Sequence, residues 1–133
     1  NDTKGKRLVF TSRARRHDYP NLRRYLNYVF AYAGTYSLER ELKPAAIAEM
    51  QIGDVFIRGG FPGHAVLVAD MVENEKTGAK RFLLLQSYMP AQDIHVLKNP
   101  AADDGSPWYS TEMGDQLVTP EWTFRRDQLR RWP

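Results

Sequence analysis

The sequence predicts an α+β domain in which helices cover an antiparallel β-sheet. Two observations carry this. Leu22, Leu26, Val29, Phe30 and Ala33 recur at helical spacing early in the chain. From Val55 to Leu97 the apolar residues come instead in short runs, set apart by Gly, Pro, Asn and Asp. The middle runs are apolar at nearly every position, so a sheet built from them needs cover on both faces. Helices packed on it supply that cover.

Residues 8–11 read as a short strand. The first helix runs over about residues 20–33, with Tyr25 on its apolar face and Pro20 in its first turn. Gly34 fits a left-handed stop just past its end. Ser37 is placed to cap a second helix through Leu42, which Pro44 prevents from continuing. Residues 45–50 add one more helical turn before the Gly53-Asp54 corner, where Asp54 is expected to bond the turn backbone. Strands follow at 55–57, 65–72, 81–87 and 94–97. The polar stretch 73–80 connects the second and third as a hairpin, with Gly78 free to take a positive φ. Residues 99–106 read as loop, 119–124 as an edge strand and 127–132 as a terminal helical turn.

At 133 residues the chain suits one domain. It starts at Asn1 rather than Met, which suggests a processed product or a piece of a longer protein, and the C-terminal part of one is expected. Hydrophobic content of 42% and charged content of 26% are ordinary for a soluble globular protein. No apolar run approaches the roughly 20 residues of a membrane span, and no signal peptide is visible. The absence of cysteine excludes disulfides and thiolate zinc sites within these residues. The three histidines lack metal-ligand spacing, so neither a metal nor another cofactor is expected. Net charge is +3, with arginines bunched at 13, 15, 16, 23 and 24 and again at 125, 126, 130 and 131. Such clusters can contact phosphates, but no nucleic-acid-binding motif accompanies them. A solvated face with Glu39, Glu41, Asp103, Asp104 or Asp127 as partners is the expected use.

The stretch from Gly53 to Asp70 carries the chemistry. A Gly-Asp corner opens one apolar strand, and a glycine-rich loop leads to a second whose first residue is His64. A histidine mounted there can accept a proton near neutral pH while its backbone stays fixed; the competing reading is a ring that ties the loop to the sheet. Gln86 interrupts a third apolar strand, where its amide must find partners. It could orient the His64 imidazole, or be satisfied by a neighbouring loop; the two meet on one face only if the hairpin pairs even positions with even. Asp70 shares the His64 face by parity but lies about 20 Å along the strand, too far for a dyad. His95, between Ile94 and Val96, reads as a sheet residue. Ser37 and Ser87 lack the setting of an activated serine. Tyr88, Trp108, Tyr109 and Trp122 are candidates for the wall of a substrate groove beside His64 and are equally suited to a core.

These segments resemble the DUF4846 family of bacterial proteins, in its C-terminal half. The resemblance rests on Val29-Phe30-Ala31-Tyr32-Ala33-Gly34-Thr35, Gly53-Asp54-Val55-Phe56-Ile57, Pro62-Gly63-His64-Ala65-Val66 and the run from Gln86 to His95. Asn99-Pro100, Ser106-Pro107-Trp108-Tyr109 and Thr119-Pro120-Glu121-Trp122 continue it. That family has no settled function. A looser resemblance is to papain-like NlpC/P60 and CHAP cell-wall hydrolases. In those enzymes a Gly-Asp corner, a Gly-His pair and a polar residue open or mark three successive strands. His64 and Gln86 fall at the second and third of these places. The resemblance implies a base at His64, an orienter at Gln86 and a nucleophilic cysteine on a preceding helix. The helix at 20–33 carries no cysteine, so this chain corresponds to such a fold without its nucleophile.

Two functions follow. The first is an amide hydrolase of peptides or peptidoglycan whose cysteine comes from an upstream segment of the same protein. The second is a non-catalytic module that binds a peptide or glycan fragment. The cell-wall analogy would place either in the periplasm or cell envelope.

Overall fold

A computed structural model of the chain describes residues 18–88 and 92–133. The expected strand at 8–11, Arg13, Arg15, Arg16 and the segment 89–91 lie outside the described residues. The chain divides after Tyr32 into two units. In the first, helix α1 spans Tyr19–Tyr32. Asp18 caps it: its Oδ1 accepts the Asn21 backbone N–H at 3.1 Å, satisfying a donor the helix leaves open. Tyr28 and Tyr32, one turn apart, stack at 6.4 Å.

In the second unit, helix α2 spans Thr35–Glu41. The sequence expectation for its start is corrected. Gly34 is the N-cap, with φ −92° and ψ 166°, so it is extended rather than left-handed. Ser37 lies within the first turn and donates its hydroxyl back to the Gly34 carbonyl. Residues 45–50 contribute a short 3-10 turn, Ile47–Glu49.

Among the described residues nine strands follow: β1 Lys43–Pro44, β2 Val55–Arg58, β3 His64–Glu73, β4 Lys80–Gln86, β5 His95–Val96, β6 Tyr109–Ser110, β7 Gln116–Val118, β8 Thr123–Arg125 and β9 Leu129–Arg131. Seven make one antiparallel sheet in the order β1-β9-β2-β3-β4-β5, with β6 also on β4. β7 and β8 pair as a separate hairpin. The α+β class read from the sequence is therefore observed, with a mostly antiparallel sheet and two α-helices among the described residues.

Two C-terminal expectations are revised. Residues 119–124 are not one edge strand: 119–122 form the turn between β7 and β8. Residues 127–132 are not a helical turn: a 3-10 turn over Arg126–Gln128 leads into β9. The reason is tertiary. β9 pairs with β2, setting Leu129 opposite Phe56, and both are fully buried. Sheet pairing and burial override the local pattern.

The two faces of the sheet are covered unequally: β2 is buried on both, whereas on β3 the second face leaves Leu67 exposed, so the expected cover on both faces holds for β2 and not for the whole sheet. On one face, Phe56, Val66, Val68, Phe82 and Leu84 pack with Leu117 and Phe124 of the β7–β8 hairpin and with Ile47 and Met50. On the other, Val55 and Ile57 pack with Leu42, beside Leu38 of α2 and Ala65. This explains why β2 reads apolar without alternation. The β3–β4 hairpin turns at Gly78, φ 70°, with Asn74 Oδ1 accepting the Lys76 and Thr77 amides.

Candidate functional site

Register decides which side chains of β3 and β4 can meet. Leu67 pairs with Leu85 and Val68 with Leu84, so even positions lie opposite even positions near the start of β3. His64 and Gln86 consequently share the face that carries Val66 and Leu84. Beyond Val68 a bulge at Ala69 shifts the register, and Asp70 pairs with Leu83. Met71 then takes the core face and Asp70 is exposed, its Oδ1 accepting the Met71 amide. The parity that put Asp70 on the His64 face fails at this bulge.

The loop into β3 holds His64 closely. A side chain at Gly63 would collide with Thr35 Oγ1 and lie 2.7 Å from the Arg58 carbonyl and 2.9 Å from the Gly60 nitrogen. Glycine is what lets the backbone approach α2 there. Arg58 pairs across the sheet with His64.

His64 is 8% exposed and Gln86 3%. His64 Nε2 lies 2.7 Å from Gln86 Oε1, and Gln86 Nε2 donates to Glu121 Oε2 at 2.6 Å. Three rings enclose the imidazole: Tyr88 edge-on at 5.1 Å, Trp122 at 5.6 Å and Phe124 stacked at 6.0 Å. The Arg58 guanidinium lies 5.9 Å over the Trp122 ring. His64 Nδ1 has no hydrogen-bond partner among the described residues. It is not sealed in either, since the one sealed, unpartnered side-chain polar atom among them is Trp122 Nε1. An imidazole bonded at Nε2 and open at Nδ1 can exchange a proton with a group presented to Nδ1.

The turn that brings Glu121 and Trp122 here is built by its own sequence. Thr119 Oγ1 donates to the Trp122 carbonyl at 2.6 Å and accepts the Trp122 amide at 3.3 Å, and the Thr119 amide donates to the same carbonyl. Pro120 presets one dihedral of the turn. Glu121 and Phe124 did not stand out in the sequence as site residues. The signal available was Thr-Pro-Glu-Trp read as a turn between two strands rather than as strand.

The other two aromatic candidates, Tyr109 and Trp108, make no ring contact with His64. Tyr109 stacks on Phe82 at 5.7 Å, and its hydroxyl donates to the Lys98 carbonyl. Burial, reinforced by the negative charge of Glu121, pushes its phenol far above the usual tyrosine range. Trp108 is half-buried, and its carbonyl accepts Asn99 Nδ2 at 2.8 Å. Of the predicted aromatics, Tyr88 and Trp122 make ring contacts with His64. His95 is exposed, with Nδ1 2.8 Å from the Asp93 carbonyl.

Asp54 has a larger part than a turn bond. It is 1% exposed; one oxygen accepts the Gln51 amide at 2.8 Å, and the carboxylate takes Arg131 in a two-pronged pair at 2.7 and 2.8 Å. That pair raises the Arg131 guanidinium above its ordinary value, hydrogen bonding being the main cause. The remaining C-terminal arginines are also engaged. Arg125 pairs with Asp127 at the surface, Arg126 donates to the Met113 carbonyl and Arg130 to the Asp127 carbonyl. No group of three or more His, Cys, Asp or Glu among the described residues could hold a metal ion. No helix among them is long and apolar enough to cross a membrane.

No curated protein and no solved structure matches the chain. The family model for domain of unknown function 4846 matches residues 2–131. With nearly the whole sequence under that match, including the loop and strands that carry His64, Gln86 and Glu121, the chain belongs to the DUF4846 family.

Proposed function

We propose that this domain is the base-bearing part of a papain-like cysteine amide hydrolase of peptides or peptidoglycan, completed by a thiol from a segment outside the chain. The observation that carries the reading is the His64–Gln86 bond at 2.7 Å with Nδ1 left open. A thiol presented to Nδ1 would transfer its proton there, and the thiolate would attack the substrate carbonyl carbon. The resulting imidazolium would return that proton to the leaving amine as the C–N bond breaks. Water, activated by the neutral ring, would then hydrolyse the thioester and restore the thiol. Gln86 would hold the ring in orientation throughout. Tyr88 and Trp122, in ring contact with His64, would flank the substrate.

The lack of any cysteine in the 133 residues favours a second reading, a binding module whose aromatic wall holds a peptide or glycan fragment. Thiol alkylation of the longer protein, with His64 intact and with His64→Ala, separates the two. One cysteine that reacts unusually fast at pH 6, and at least about tenfold slower without His64, is the expected result for the hydrolase. Uniformly slow labelling that ignores His64 would leave the binding module.

A further inference from the structure

We propose that Glu121 is a positioning residue that fixes the tautomer of His64 by acting through Gln86. As a statement about a catalytic base this rests on the hydrolase reading above; as a statement about the ring it does not.

A glutamine amide has nearly the same shape whichever way it is turned, so its orientation is set by its partners. Glu121 Oε2 lies 2.6 Å from one end of the Gln86 amide. An ionised carboxylate offers only acceptors, so the end facing it is the NH2 group. The amide oxygen is then turned to His64 Nε2 at 2.7 Å, and that oxygen can only accept. Nε2 therefore carries the hydrogen. In the neutral ring this leaves the lone pair on Nδ1, the nitrogen with no partner among the described residues. One carboxylate thus sets the direction of every bond in the row. Charge assistance strengthens the first of them.

Glu121 is itself exposed, yet its backbone is held by the paired Thr119–Trp122 bonds of the β7–β8 turn. Trp122, next in the chain, lies against the His64 ring. The turn therefore delivers the group that orients the ring and a surface that packs on it.

The test is nitrogen NMR of the histidine side chains in this chain, labelled with 15N, at a pH where the rings are neutral. His64→Gln identifies the His64 signals among the three histidines. The expected result is the Nε2–H form in the wild type. Glu121→Lys replaces acceptors by donors, so the Gln86 amide turns over and the hydrogen of His64 moves to Nδ1. Glu121→Ala removes the bias, and both forms appear. Glu121→Asp keeps an acceptor and restores part of the preference. A merely structural glutamate would loosen the turn without reversing the tautomer. An Nδ1–H wild type, or an unchanged tautomer in a folded Glu121→Lys or Glu121→Ala protein, overturns the proposal. Because the reading needs no thiol, it fails or stands apart from the alkylation result. Conversely, a thiol that responds to His64→Ala but not to Glu121→Ala would leave the hydrolase standing and remove Glu121 from it.

Discussion

His64 is enclosed by rings on three sides and bonded by an amide on a fourth, which makes Gln86 the residue whose loss is most directly readable. In Gln86→Leu the Nε2–H would sit against hydrocarbon with no acceptor, and the Glu121 carboxylate would lose its donor. An unsatisfied buried polar group of this kind costs about 1–3 kcal/mol. Urea unfolding should therefore show a lower midpoint at an unchanged slope. A midpoint equal to wild type would mean that water reaches Nε2 and that the bond to Gln86 contributes little. The sequence could name His64 because a glycine-rich loop presents it at the start of an apolar strand, and Gln86 because it interrupts one. It could not name their partner, because Glu121 lies 35 residues from Gln86 on a turn whose charge looks like ordinary surface.

At the scale of elements, what the sequence made legible was whatever depends on local pattern. α1, β2, β3, β4 and the Gly78 hairpin follow from period and turn chemistry. What escaped was fixed by pairing between distant segments. β9 looks helical in isolation and becomes a strand because β2 offers it an edge; Asp70 changes face because of one extra residue at Ala69. The loop between β2 and β3 shows the same dependence on distant contacts. At Gly63, two of the three atoms nearest an added Cβ are backbone, of Arg58 and Gly60, and these cannot swing aside as a side chain would. Gly63→Ala should cost about 1–3 kcal/mol, the usual range for forcing extra volume into a packed site. It should also shift the His64 ring signals, since His64 is the next residue. Gly114, with nothing within 4 Å, is the control: Gly114→Ala should stay within about 0.5 kcal/mol. Thermal or urea unfolding of the two variants side by side reads the difference. Equal stability would show that the loop relaxes around the added methyl group.

For the sheet-bearing unit as a whole, the decisive tie is between Asp54 and Arg131, 77 residues apart. β9 lies between β1 and β2, so β1 joins the sheet only when residues 129–131 have been laid in. Two backbone pairings to β2 are a thin attachment for a central strand. The guanidinium adds a second one, holding the buried carboxylate with two hydrogen bonds and reaching the Glu49 carbonyl at 2.7 Å with the same nitrogen. This differs in kind from the Arg125–Asp127 pair, where both side chains are mostly in water and such pairs contribute little. Arg131→Met keeps the length of the stem and removes the charge, leaving Asp54 buried with the Gln51 amide as its remaining donor. Its melting temperature should fall by at least about 5 °C. Arg125→Met should move it far less. The pair is better described as specifying where β9 sits than as a source of net stability, because taking both charges out of water offsets much of their attraction. That distinction has its own measurement. If it is right, adding Asp54→Asn to Arg131→Met should recover part of the lost melting temperature, since no unpaired buried charge is then left. A double variant as unstable as the sum of its parts would show instead that the two side chains stabilise the fold independently.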